Sequence, residues 1–136
     1  ALTHLVDTSV LTRLHSPDIR AVIEPKLLRR ELGRASISDL EIGFAARDER
    51  EWDSLAKSLG TFALIETASE HVRRALQVQR LLARRHQRGR KLPDLLIAAA
   101  AELRGLSVLH YDADFDRIAA VTGQPTDWVV TAGTVD

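Results

Sequence analysis

The chain lacks cysteine altogether across its 136 residues. Disulfides, thiolate zinc sites and cysteine nucleophiles are excluded with it, and the composition suits a reducing cytoplasm. Net charge of one sign is missing too. Nineteen Lys and Arg balance nineteen Asp and Glu, so nothing draws the whole chain to a polyanion, and any nucleic-acid contact must rest on local charge. No apolar run approaches the ~18 residues of a membrane span. The first residues show no charged segment leading into an apolar one, so no signal peptide is expected. Methionine is absent, so the numbered chain does not include an initiator. Repeats, low-complexity segments and linkers are lacking, and a single domain over residues 1–136 is expected, long enough for a real core.

Several chemistries are excluded by spacing. The five histidines (His4, His15, His71, His86 and His110) never fall three or four residues apart, so no HExxH-type zinc site exists. "GRASIS" lacks the second glycine and the Lys-Ser/Thr of a phosphate loop. No order or spacing supports a Ser–His–Asp arrangement. His4 and His110 sit in or beside strands and read as packed or hydrogen-bonded residues.

What is present alternates strand with helix. "THLVD" (3–7), "ASIS" (35–38), "TFALIE" (61–66), "LSVLHYD" (106–112) and "DWVVT" (127–131) read as five strands. Between them lie helical patterns. One starts at Ser16-Pro17 and should kink or restart at Pro25. Another, "DLEIGFAARDEREWDSLAKSLG", reads as one or two helices ending at Gly60. A third opens with Thr67 and Glu70 in capping-box spacing and runs to Gly89, with Val72, Leu76, Leu81 and Leu82 near one face. "KLPDLLIAAAAELRG" (91–105) is a buried-looking helix with one acid, Asp94, near its mouth. A short helix, "DFDRIAAVTG", precedes the last strand. Such alternation calls for a mainly parallel sheet with helices on its faces.

In open parallel sheets ligands bind beyond the carboxyl ends of the strands. Asp7 ends the first strand and Asp112 the fourth; Glu41 lies in the helix after the second, and Asp94 follows Pro93 at a helix start. No Lys or Arg is adjacent to Asp7 or Glu41 in the chain. Crowded carboxylates repel and raise one another's pKa. A divalent cation removes the conflict, and Mg²⁺ and Mn²⁺ favour oxygen ligands. The pattern fits metal-assisted phosphodiester hydrolysis. For Asp94 alone, an ordinary helix-start acid is the competing reading. The basic run "RRHQRGRK" (84–91) leads into Asp94, and Arg85, Arg88, Arg90 and Lys91 are candidates to hold nucleic-acid phosphates.

"LVDTSVL", "ISDLEIGFAAR", "LPDLLIAAAA" and "LHYDADFDRIA" occur in the order of a known family. With these pieces, spanning residues 4–131, the chain resembles a PIN-domain ribonuclease of the VapC toxin type. The resemblance implies an α/β/α sandwich around a five-stranded sheet. It implies a Mg²⁺- or Mn²⁺-dependent endoribonuclease leaving a 3′-hydroxyl and a 5′-phosphate, restrained by a VapB-type antitoxin and commonly dimeric. Matched position by position, Asp7, Glu41, Asp94 and Asp112 correspond to the family's catalytic, metal-binding acids. Asp114 is the alternative fourth ligand, through water, and Asp116 reads as a surface acid. Thr8 and Ser9 match small hydroxyl residues that orient Asp7 or bind the scissile phosphate; helix capping is their plainer role. The apolar residues Val10, Leu11, Leu14, Val22, Ile23, Leu27 and Leu28, with Trp52 and Leu55, offer more surface than a small helix pair buries. The resemblance implies that part of it grips an antitoxin helix. The competing function is a degenerate PIN domain that binds RNA or protein without catalysis.

Overall fold

The computed structural model describes residues 1–87 and 91–136. Among them, five strands form one all-parallel sheet in the order β3-β2-β1-β4-β5. The strands are β1 (His4–Val6), β2 (Leu32–Ala35), β3 (Ala63–Ile65), β4 (Ser107–His110) and β5 (Thr126–Trp128). The helices are α1 (Thr8–Leu11), α2 (Pro17–Leu28), α3 (Ser36–Phe44), α4 (Glu49–Leu59), α5 (Ser69–Arg84), α6 (Leu92–Leu103) and α7 (Asp114–Thr122). No described helix is long and apolar enough to cross a membrane.

The inner strands β1, β2 and β4 are buried on both faces, as the centre of a parallel sheet requires, while the edge strands β3 and β5 keep exposed residues. Leu5, Ala35, Ile65 and Val108 point to one side, against α5, α6 and α7. Val6, Leu32 and Leu109 point to the other and pack with Val10, Leu11, Ile19, Ile23, Ile42 and Leu59. The period-two alternation of side chains thus feeds two cores from one sheet. Most of the apolar surface counted between residues 10 and 32 goes into the second core. Leu28 and Trp52 are the ones left well exposed.

Four local expectations need correction. The second strand is "LGRA", and Ser36 of "ASIS" already opens α3. Gly33 disguises this strand, because a Cβ there would stand 3.2 Å from Ile65 Cδ1 and 3.3 Å from the Ala63 carbonyl oxygen; close backbone approach selects glycine against its poor strand propensity. Helix α2 runs through Pro25 without a restart. The carbonyl that proline leaves unbonded belongs to exposed Ala21, where water can serve it. Helix α5 is capped at Ala68, whose N–H donates to His71 Nδ1 at 3.1 Å, rather than by Thr67 and Glu70. That helix ends at Arg84, and Val72 and Leu76 stay exposed beside its buried face. Gly89, read as its end, lies outside the described residues. Strand β5 begins at Thr126 and ends at Trp128, earlier than expected. Gly60 follows α4 as expected, and Gly123 closes α7 with φ +73°, the left-handed conformation that favours glycine.

Candidate metal centre

The sheet order places a switch point between β1 and β4: from β1 the chain builds outward to β2 and β3, then returns to add β4 and β5 on the other side. Helices diverge there and leave a crevice at the carboxyl ends of the strands. Asp7 leaves β1 and caps α1, accepting from the Ser9 N–H at 3.0 Å. Asp112 lies two residues past β4 and accepts from the Asp114 N–H at 2.9 Å. Glu41 comes from the middle of α3, and Asp94 from the first turn of α6 behind Pro93. All four acids line one cleft, with Thr8, Ser9, Thr12, Arg13, Lys91 and Tyr111.

Burial makes this cleft electrostatically unusual. Asp7 and Asp94 are 2% and 5% exposed. Burial raises the Asp7 pKa against the opposing effect of its Ser9 hydrogen bonds, and the charges of Asp112 and Glu41 add to the rise. Asp94 is pushed up to about 7, first by burial and then by Asp7 and Asp112, with Lys91 opposing. Asp112 goes the other way. Burial pushes it up, but hydrogen bonds from Lys91 and the Asp114 N–H outweigh that and hold it low. Lys91 Nζ sits 2.8 Å from Asp112 Oδ2 and 4.0 Å from Asp94 Oδ2, and its own pKa is raised, chiefly by the bond to Asp112.

The donors suit a hard divalent cation. Asp7 Oδ1 and Asp94 Oδ2 are buried and lack a hydrogen-bond partner among the described residues. Buried acceptors of this kind are costly unless something positive meets them. Carboxylate oxygens of Asp94, Asp112 and Asp114 also lie within 4.8 Å of one another, close enough to share an ion. An all-oxygen set of this kind fits Mg²⁺ or Mn²⁺ better than a soft metal.

The PIN-domain family model matches residues 4–121. The chain belongs to the PIN-domain family. Among curated proteins it is 59% identical to Ribonuclease VapC51 of Mycobacterium tuberculosis, over all of this chain and 99% of that protein. It is 42% identical to Ribonuclease VapC21 of the same species, over 96% of each. These identities place the PIN domain in the VapC group. A DNA-bound VapBC crystal structure from Salmonella typhimurium shares its fold, with TM-score 0.82, 19% identity, and coverage of 96% of this chain and 100% of that one. VapBC-5 from Mycobacterium tuberculosis aligns with TM-score 0.64 and 22% identity, covering 93% of this chain and 97% of that one.

Within this PIN domain the two hydroxyls after Asp7 have separate tasks. Thr8 Oγ1 donates to Glu41 Oε1 at 2.7 Å and meets Ser38 Oγ at 2.8 Å. Ser9 holds Asp7 through its backbone N–H, while its Oγ accepts from the Tyr111 N–H at 2.9 Å and so ties α1 to the end of β4. Asp114 joins Asp94 and Asp112 in the acidic trio and also pairs with Arg117 at 3.3 Å. Asp116 accepts from Trp128 Nε1 and lies off the cleft, as a surface acid would. Of the basic run, Lys91 enters the cleft, and Arg85 is exposed just past α5. Arg88 and Arg90 lie outside the described residues.

Sequence reading missed Ser38 and Arg13. Ser38 is fully buried three residues before Glu41, the spacing that puts two side chains on one helical face. Arg13 sits four residues after Ser9, donates to the Ser9 carbonyl at 2.7 Å, and lies over the Tyr111 ring at 5.2 Å. That i, i+4 spacing was the available signal.

Proposed function

We propose that this PIN domain is a VapC-type toxin: an endoribonuclease that uses Mg²⁺ or Mn²⁺ to hydrolyse phosphodiester bonds in structured RNA such as tRNA or rRNA, and so inhibits translation and growth. The observation that carries the reading is the pair of buried carboxylate oxygens on Asp7 and Asp94 that have no hydrogen-bond partner among the described residues, set beside Asp112 at the switch point. Asp7, Asp94 and Asp112 would hold the ion, with Glu41 and Asp114 at its margins. When bound, the metal supplies an activated water for in-line attack and offsets the charge that builds on the phosphate. Thr8 and Ser38 fix the Glu41 carboxylate, and Ser9 fixes Asp7. Lys91 and Arg13 stand at the cleft to receive backbone phosphates, and the remaining cations of the basic run, Arg85, Arg88 and Arg90, are assigned to RNA phosphates on their charge.

Residues 1–136 form one domain on this reading, since β5 and the segment behind it complete the same sheet and cover Tyr111. The partners are an RNA, a VapB-type antitoxin and a second copy in a homodimer. Exposed Leu28, Leu40, Phe44 and Trp52 provide apolar area for protein contacts. The setting is the cytoplasm. A degenerate PIN domain would have no need to keep Asp7 and Asp94 buried side by side with oxygens that lack a hydrogen bond among the described residues. The test is cleavage of total RNA by purified protein before and after chelation. Loss of cleavage with EDTA and return with Mn²⁺ is expected; full activity in verified metal-free protein would refute the metal reading.

A further inference from the structure

His110 ends β4 on the face that packs against α7, and its ring is wholly buried. It stacks on Phe115 at 5.0 Å and 29°, and meets Trp128 at 4.9 Å and 59°. Its Nδ1 lies 3.2 Å from the Asp112 backbone N–H. An amide can only donate, so Nδ1 carries a lone pair and the ring proton rests on Nε2. That Nε2 is buried with no hydrogen-bond partner among the described residues. The chain thus tolerates an unsatisfied ring N–H on one side of the imidazole while using the other side as an acceptor. Leaving a buried donor unmet is costly, and a phenyl ring would stack as well without it.

From this we infer that His110 is a positioning residue for Asp112: its Nδ1 pins the Asp112 backbone and thereby aims that carboxylate into the metal cleft. The inference rests on the proposed role of Asp112 as a metal ligand. The geometry forms a relay of orientation. Phe115 and Trp128 lock the imidazole, the imidazole holds the Asp112 N–H, and Asp112 Oδ1 is taken by the Asp114 N–H. Asp112 Oδ2 is the atom left to face the cleft, where Lys91 reaches it. Groups that orient a metal ligand in this way typically change metal affinity by roughly 10–100-fold when removed.

The experiment measures Mn²⁺ binding to the full chain by calorimetry and by electron paramagnetic resonance of free Mn²⁺, with melting of the metal-free protein alongside. His110→Phe keeps the stacking and removes the acceptor. It should weaken Mn²⁺ binding by roughly 10–100-fold while metal-free melting stays near the parent's, because losing the unmet ring N–H offsets the Asp112 N–H left without its acceptor. His110→Asn places an amide oxygen where Nδ1 stood and should bind Mn²⁺ within a few-fold of the parent. His110→Gln places its amide near the Nε2 position instead and should bind as poorly as the phenylalanine variant. Asp112→Asn is the control. If it binds Mn²⁺ like the parent, the metal reading fails and this inference fails with it. If it loses Mn²⁺ while folded His110→Phe does not, the inference alone is overturned. Should the phenylalanine variant not fold, equal Mn²⁺ affinity of the asparagine and glutamine variants overturns it.

Discussion

Asp94→Asn separates a metal ligand from a helix-start acid through the pH dependence of stability. In the metal-free protein the Asp94 carboxyl titrates near 7 instead of 3.8. Well below 3.8 it is protonated in folded and unfolded chains alike and contributes nothing to the pH dependence. As pH rises, the unfolded chain releases its proton first, so stability falls until the folded carboxyl also ionises near 7. At about 1.4 kcal/mol per pKa unit, the full loss is roughly 4 kcal/mol. Part of it is mutual repulsion with Asp7, whose pKa is also raised, so the amide relieves both residues. The stability of Asp94→Asn minus that of the parent should therefore start near zero at about pH 3 or below, grow up to about pH 7, and level off above it. Chemical unfolding in EDTA at several pH values measures this difference. RNA cleavage at saturating Mn²⁺ is the companion assay, and there the variant should lose activity by orders of magnitude. A pH-independent difference would refute the electrostatic reasoning. A variant destabilised at pH 8 with near-normal cleavage would return Asp94 to the role of an ordinary helix-start acid, worth about 0.3–1 kcal/mol.

Thr8→Val removes the hydroxyl that serves Glu41 and Ser38. It should cost about 1–3 kcal/mol, because buried Ser38 loses its partner. Adding Ser38→Ala should restore much of that stability in chemical unfolding but none of the lost cleavage, since Glu41 remains unheld; joint recovery would refute the orienting role. Arg88→Ala with Arg90→Ala should weaken RNA binding and flatten the slope of log K against log salt by roughly 1.4 for a single strand. An unchanged slope in a binding titration would mark the basic run as ordinary solvated surface.

The alternation of short apolar runs with helical patterns was enough to determine the parallel sheet, because a two-residue period and a 3.6-residue period are local properties of the chain. Asp7 and Asp112 could be placed at the site for the same reason: a residue ending a parallel strand must emerge at its carboxyl edge. Strand β2 was harder to read. Gly33 and Arg34 are poor strand formers, and they stand there because β3 crowds the glycine while the guanidinium reaches Asp39 and the Phe62 carbonyl. Pro25 was misleading in the opposite sense, since its cost depends on whether water reaches the carbonyl it leaves bare. Only the tertiary structure decided how the acids divide. Burial raises Asp7 and Asp94, while Lys91, 21 residues away in sequence, holds Asp112 ionised. It also joined Thr8 to Glu41 across 33 residues and turned the imidazole of His110 onto the Asp112 amide. Periodicity specifies which face a side chain takes; desolvation and partner geometry depend on which other segments pack against that face, and those segments are distant along the chain.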